Sequence, residues 1–230
     1  LAVHSMKDVA TWLPDGLEMA CLLPREDPRD ALFTRTGAGL MELPAGAVVG
    51  TASLRRAAQV LLRRPDLKIV PLRGNVETRL RKLDEGQVDA TLLALAGLKR
   101  LGMPRVPTAV LEPEAMLPAV AQGAIGIEIR AADDRTRAAL ATLHCPDTAR
   151  RVQAERALLR VLDGSCRTPI AALAELDGGL LRMRGLVAPP DGSGCETESV
   201  EGPAEEAERI GRECGEALRR RLPAGWLATP

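Results

Sequence analysis

Between Val48 and Leu101 short apolar runs alternate with helical stretches, and this β-α-β-α rhythm restricts the chain more than any other feature. Val48-Val-Gly50 reads as a strand that ends at Thr51-Ala-Ser53. Ser53 suits the N-cap of a helix over Leu54–Arg63, because its side-chain oxygen can accept from a free amide of the first turn. Leu67–Leu72 reads as the next strand, Asn75 as the cap of a helix running through Leu83 and stopping near Gly86, Val88–Leu95 as a third strand, and Ala96–Leu101 as a short helix. Strands and helices alternating at this spacing build a parallel sheet covered by helices.

The flanks are organised differently. Leu1–His4 reads as a buried strand end, followed by a loop at Ser5-Met6-Lys7-Asp8, a turn at Pro14-Asp15-Gly16 and a strand over Leu17–Leu23. The charged, proline-punctuated stretch from Pro24 to Asp30 reads as a hinge or crossing, and Pro104, Pro107, Pro113 and Pro118 mark a linker. Ala124–Arg130 reads as a returning strand, Thr136–Leu143 and Thr148–Leu162 as helices, and Ala171–Leu176 with Leu181–Val187 as a small sheet around Asp177-Gly-Gly179. Ala204–Arg221 reads as an amphipathic helix with Glu early and Arg late, matching the helix dipole. A hydrophobic share of 46% over 230 residues supports several cores, and a net charge of zero gives no global pull toward nucleic acid or a membrane. No apolar run is long enough to span a bilayer. The five cysteines and two histidines have no metal-type spacing, so no metal is expected. Free thiols in a reducing compartment are the default.

Five stretches are candidates for chemistry. Lys7-Asp8 follows a strand end, where α/β folds place ligands. A carboxylate there can act as acid or base or stabilise a developing cation, and an ordinary turn aspartate fits the pattern as well. Thr51-Ala-Ser-Leu-Arg55-Arg56 joins a strand end to a helix start, where free amides favour an anion and two arginines add charge-assisted bonds; a capped helix with solvated arginines reads the same way. Leu72-Arg73-Gly74-Asn75-Val-Glu-Thr-Arg79 repeats that arrangement. Strand ends of one parallel sheet face one side, so Arg55, Arg56, Arg73 and Arg79 are expected to converge on a cleft suited to several carboxylates. Ala121-Gln122-Gly123-Ala-Ile-Gly126 is a glycine-bearing crossover that matches neither the dinucleotide nor the P-loop fingerprint. Last, Val161-Leu-Asp-Gly-Ser-Cys166-Arg-Thr-Pro-Ile170 sets one cysteine in a small-residue turn between a helical pattern and an apolar strand. No histidine lies near it in sequence to activate it, so covalent attachment suits it better than turnover. A packed small residue fits that position too.

Taken together, Ala2-Val-His-Ser-Met-Lys-Asp-Val9, Arg25-Glu-Asp-Pro-Arg-Asp30, Gly50-Thr-Ala-Ser-Leu-Arg-Arg56, Leu72-Arg-Gly-Asn-Val76, Ala96-Gly-Leu-Lys-Arg-Leu101 and Gly164-Ser-Cys-Arg-Thr-Pro169 resemble the porphobilinogen deaminase (hydroxymethylbilane synthase) family, in order and over essentially the whole chain. The resemblance implies an α/β fold: two periplasmic-binding-protein-like domains, 1–23 with 119–143 and 29–117, plus a small C-terminal α+β domain over 146–230. It implies a transferase of heme and porphyrin biosynthesis that condenses four porphobilinogen units, with loss of ammonia, on a dipyrromethane cofactor. By resemblance Cys166 would hold that cofactor as a thioether and Asp8 would be the catalytic carboxylate. Lys7, Thr51, Ser53, Arg55 and Arg56 would bind the cofactor, and Arg73, Arg79, Arg100, Gln122 and Gly123 the substrate and growing chain. A cytoplasmic monomer with porphobilinogen as its small-molecule partner is expected. The family usually begins with a further strand-helix region bearing an Arg-Gly-Ser-type motif, so the chain as written is expected to be inactive or poorly folded beside a longer, active parent. Ala121 and Ala52 stand where the family commonly has Gly and Ser, with little expected effect on mechanism. The competing reading is a two-lobed solute-binding module whose arginines only capture a carboxylated ligand; it needs no covalent cofactor, so Cys166 separates the two.

Overall fold

The computed structural model describes residues 1–103, 105–164 and 168–227. In chain order the strands are β1 (Ala2–Ser5), β2 (Leu17–Leu22), β3 (Asp30–Thr34), β4 (Val48–Gly50), β5 (Lys68–Val70), β6 (Ala90–Ala94), β7 (Ala109–Leu111), β8 (Ile125–Arg130), β9 (Ile170–Asp177), β10 (Leu180–Val187) and β11 (Glu196–Pro203). The helices are α1 (Leu54–Arg63), α2 (Val76–Asp84), α3 (Leu95–Arg100), α4 (Asp134–Leu140), α5 (Pro146–Val161) and α6 (Ala207–Arg221). They form three sheets, ordered β1-β8-β2, β5-β4-β6-β3-β7 and β11-β10-β9.

The α/β reading of the middle of the chain holds. β4 pairs parallel with both β5 and β6, and the caps fall where the side chains allow: Ser53 accepts from Arg56 N–H at the start of α1, and Asn75 from Thr78 N–H at the start of α2. The sheet is nevertheless mixed. β3 inserts antiparallel between β6 and β7, with Asp30 opposite both Ala94 and Leu111. The crossing at Pro24–Asp30 thus ends in a strand, and the proline-marked linker contains another. β3 is buried along its whole length and shows no alternation to read. Apolar cores lie on both faces of this sheet, one around Leu32, Val49, Val60 and Leu92 and one around Phe33, Leu72, Leu83 and Leu93.

β1 forms but is not a buried strand end. It is an edge strand whose side chains alternate, leaving Leu1 and Val3 74% and 61% exposed. β11 was not anticipated either, because its Glu-Thr-Glu-Ser alternation offers almost no apolar residue. The third sheet packs on α5 and α6, which share a core with Leu22 of the first sheet and with Met6 and Val120 from the segments beside it. Gly211 makes this contact possible: a Cβ there would lie 1.9 Å from the Ala154 carbonyl oxygen of α5. Ala58 of α1 and Leu117 meet Ala171, Leu173 and Leu186 in a smaller cluster between the second and third sheets.

α5 ends in a Schellman motif: Gly164 N–H donates to the Leu159 carbonyl and Asp163 N–H to that of Arg160. Asp163 holds the left-handed position that motif requires, at φ 50°. Glycine takes that conformation without steric cost, so Asp163→Gly is expected to raise stability by about 0.5 kcal/mol, net of glycine's extra freedom in the unfolded chain. The check is a higher denaturant midpoint at unchanged slope.

Candidate active site

β1 runs directly into a short 3-10 turn, Met6–Asp8, and β8 returns beside it. Met6 is buried and anchors the turn, which leaves Lys7 half-buried and Asp8 exposed at the mouth of a cleft of about 280 Å³. The opposite wall is the N-terminal end of α1, with Ser53, Arg55 and Arg56, joined by Arg79 of α2. The back is made by Ala119, Val120 and Gln122, and one side by Arg156 and Leu159 of α5 with Thr168 and Ile170.

Neither α1 arginine is solvated. Arg55 and Arg56 are buried and grip Asp30, the first residue of β3, whose side chain is fully enclosed. Arg55 Nη2 donates to Asp30 Oδ2 at 2.7 Å and Arg56 Nη2 to Oδ1 at 2.7 Å. Arg56 Nε also donates to Asp30 Oδ1, at 3.2 Å, and the two Nη1 groups reach the carbonyls of Leu117 and Leu92, at 2.8 and 3.0 Å, while Arg55 Nε has no partner among the described residues. Gln122 Nε2 completes the cage, 2.9 Å from Asp30 Oδ1. Burial alone would raise the Asp30 pKa, but the two guanidiniums outweigh it and hold the carboxyl well below the usual range. One carboxylate therefore balances two buried guanidiniums, which leaves cationic charge facing the cleft.

Lys7 has no hydrogen-bond partner among the described residues. Burial lowers its pKa, opposed by the neighbouring Asp8. Arg79 is likewise lowered, by burial first and then by Arg56, and its Nε is fixed by the Gly74 carbonyl at 2.8 Å. Among the described residues, five cationic side chains thus line the cleft beside a single exposed carboxylate, Asp8. Such a surface is chemically suited to a ligand carrying several carboxylates and offers an anion where positive charge develops.

Of the arginines expected to converge, Arg55, Arg56 and Arg79 do so and Arg73 does not. Arg73 is exposed in the loop after β5, an edge strand of its sheet, so that loop lies at the rim. Arg100 donates to the Gly123 carbonyl at 2.8 Å and ties α3 to the crossover without lining the cleft. Gly123, at φ 86°, lies against the Glu26 carbonyl, where a Cβ would come within 2.3 Å. Thr51 lies outside the lining; its hydroxyl accepts from Ser53 N–H and shapes the turn into α1. Cys166, with Ser165 and Arg167, lies outside the described residues; Thr168 and Ile170, just beyond it, line the cleft. Ala121 occupies the left-handed region at φ 58°, a conformation that favours glycine.

Sequence reasoning missed three charged residues. One is Asp30. The second is Glu155 of α5, fully enclosed and paired with Arg25 at 2.6 Å, while its carboxylate also accepts from the Ala121 and Ala174 amides. That pair joins the crossing after β2, the crossover before β8, and β9. The third is Arg156. Each partner lies far away in sequence, so no local pattern marks them; only charged residues inside apolar stretches could have hinted at burial.

Among the described residues, no group of His, Cys, Asp and Glu could hold a metal ion, and no helix is long and apolar enough to cross a membrane. Residues 1–138 match the family model of the porphobilinogen deaminase dipyrromethane cofactor-binding domain, and residues 149–220 that of the porphobilinogen deaminase C-terminal domain. Porphobilinogen deaminase of Paracoccus denitrificans is 56% identical over 99% of this chain and 72% of its own length. That of Sorangium cellulosum is 55% identical over 95% and 74%, and the chloroplastic enzyme of Oryza sativa subsp. japonica 54% over 99% and 64%. A periplasmic binding protein from Brucella ovis, solved with glutathione bound, is 16% identical with a TM-score of 0.35 over 64% of this chain and 44% of that one. That likeness is too loose to argue from, and the fold rests on the sheet topology. Matched by both family models and by relatives at over half identity, the chain belongs to the porphobilinogen deaminase family.

Proposed function

We propose that this protein is a hydroxymethylbilane synthase: it deaminates porphobilinogen and joins four units head to tail on a dipyrromethane primer carried by Cys166. The observation that carries the reading is the cleft itself, with one exposed carboxylate among the described residues, Asp8, inside a wall of Lys7, Arg55, Arg56, Arg79 and Arg156. Each pyrrole unit bears an acetate and a propionate, so substrate, primer and growing chain are polyanions that such a wall suits.

The cleft also fits the cofactor. Its donors are the carboxylate-binding kind, and the chain just beyond Cys166 lines it. Lys7, Ser53, Arg55 and Arg56 would hold the cofactor's carboxylates, with Thr51 supporting their turn. When bound, the cofactor supplies a free pyrrole α-carbon as the nucleophile for the first addition. Arg79 would take substrate carboxylates from the rim, and Arg73 and Arg100 would meet the chain as it lengthens. Gln122 would support the floor through its bond to Asp30.

Asp8 acts on the substrate. As ammonia leaves the aminomethyl carbon with the electron pair of the broken C–N bond, positive charge spreads over the pyrrole. A carboxylate beside the ring N–H stabilises that cation. The cofactor's α-carbon would be the partner for that cation, and Asp8, beside the ring N–H, would hold the positive charge until the new bond and the loss of the α-proton restore neutrality. Covalent attachment keeps the growing chain at high effective concentration between additions. The family domains, 1–23 with 119–143, 29–117 and 146–230, and a monomeric cytoplasmic enzyme, complete the reading.

The test is the intact mass of the chain purified from cells that make porphobilinogen, beside Cys166→Ser. The parent is expected to carry the added mass of two pyrrole units and the variant none. An addition on both would place the attachment elsewhere, and an addition on neither, in a protein that consumes porphobilinogen, would remove the covalent primer from the mechanism.

A further inference from the structure

Arg156 is enclosed on α5 at 8% exposure, yet among the described residues no carboxylate pairs with it. Its donors converge instead on three successive backbone carbonyls: Nη1 on Val9 at 3.4 Å, and Nη2 on Ala10 at 2.6 Å and Thr11 at 3.1 Å. These residues directly follow Asp8. Two further contacts, one from α5 and one from the turn that ends it, hold the segment. Thr11 Oγ1 donates to the Gly164 carbonyl at 2.6 Å, at the end of α5, and the Arg160 guanidinium lies 5.7 Å from the Trp12 ring centroid.

A buried cation without a counter-charge is unfavourable unless its hydrogen bonds are made. Here the planar fork is used on backbone carbonyls, which a lysine's point charge cannot match. Burial first and then Arg160 lower the Arg156 pKa, as expected for a cation kept from water among other cations. Helix α5 ends at Val161, five residues before Cys166 in sequence, and the same helix grips the segment bearing Asp8 through Arg156. Displacing the Asp8 carboxylate by an ångström would sharply reduce its effect on a developing cation.

We propose that Arg156 is a positioning residue: its guanidinium fixes the Val9–Thr11 carbonyls and so sets Asp8 relative to the end of α5. The inference rests on the reading of Asp8 as the catalytic carboxylate. Arg156→Lys keeps the charge in the cleft and loses the fork. In the full protein it is expected to lower kcat at least tenfold while KM for porphobilinogen changes less than threefold, and to speed hydrogen exchange of the Val9 amide, bonded to the Met6 carbonyl, at least tenfold. Thr11→Val, which removes only the tie to Gly164, is expected to act in the same direction but less, and serves if Arg156→Lys does not fold. A tenfold rise in KM with kcat retained would make Arg156 a direct carboxylate ligand and overturn the proposal, as would unchanged Val9 exchange in both variants. The exchange readout needs no turnover. Inactivity of the unsubstituted protein would therefore count against the enzymatic reading, while the clamp is judged separately.

Discussion

Asp30→Asn is expected to cost about 3–5 kcal/mol of stability, the loss typical when a buried ion pair keeps only one side. The substitution preserves shape, so packing is not the cause. One carboxylate oxygen becomes an NH2 group that must face a guanidinium, donor against donor, and two buried arginines lose their counter-charge. In a chain of this size a loss of that order lowers the melting temperature by roughly 10 °C. The same carboxyl makes stability pH-dependent. Its folded pKa is depressed, so its contribution is complete above the ordinary aspartate value of about 3.9 and fades as pH falls below that toward the folded pKa. The variant should lack this acid-side decline. A loss under 1 kcal/mol in urea melts would mean that Arg55 and Arg56 swing out to water when released.

Asp8→Asn is expected to do the opposite: little change in stability and a fall in turnover of about a thousandfold, the scale seen when one electrostatic group is removed from a developing charge. Asp8 is exposed at the cleft mouth, so its removal strands no partner. The amide keeps the shape and still accepts a hydrogen bond, but it cannot balance a cationic pyrrole. Ammonia release from porphobilinogen measures the effect. A drop of less than tenfold would assign the cation's stabilisation to some other group.

What the sequence made legible was whatever is local. Val48–Gly50, the Ser53 cap and Leu54–Arg63 matched residue for residue, because turn and cap chemistry act within four residues. β3 was hidden because a strand enclosed on every side lacks the alternation that marks a half-buried one, and β7 because three residues among prolines carry no pattern. In the site, Lys7 and Asp8 stood out by following a strand. The burial of Arg55 and Arg56 did not, since it depends on Asp30, which is distant in sequence and reaches them only once β3 lies beside β6. The same holds for Arg156 and the carbonyls after Asp8.

The insertion of β3 beside β7 also bears on how the chain assembles. Val3 must find Ile127 to build the first sheet. Closing a flexible loop of that length costs about 4 kcal/mol in chain entropy. The pairing of Asp30 with Leu111 brings the two ends of the intervening stretch together beforehand. Once the middle sheet has formed it acts as a splint, leaving only two short crossings to be ordered when β1 meets β8. The topology therefore predicts an order of events in which the segment bearing Asp8 is among the last parts of the molecule to be fixed, which pulse-labelled hydrogen exchange during refolding would read.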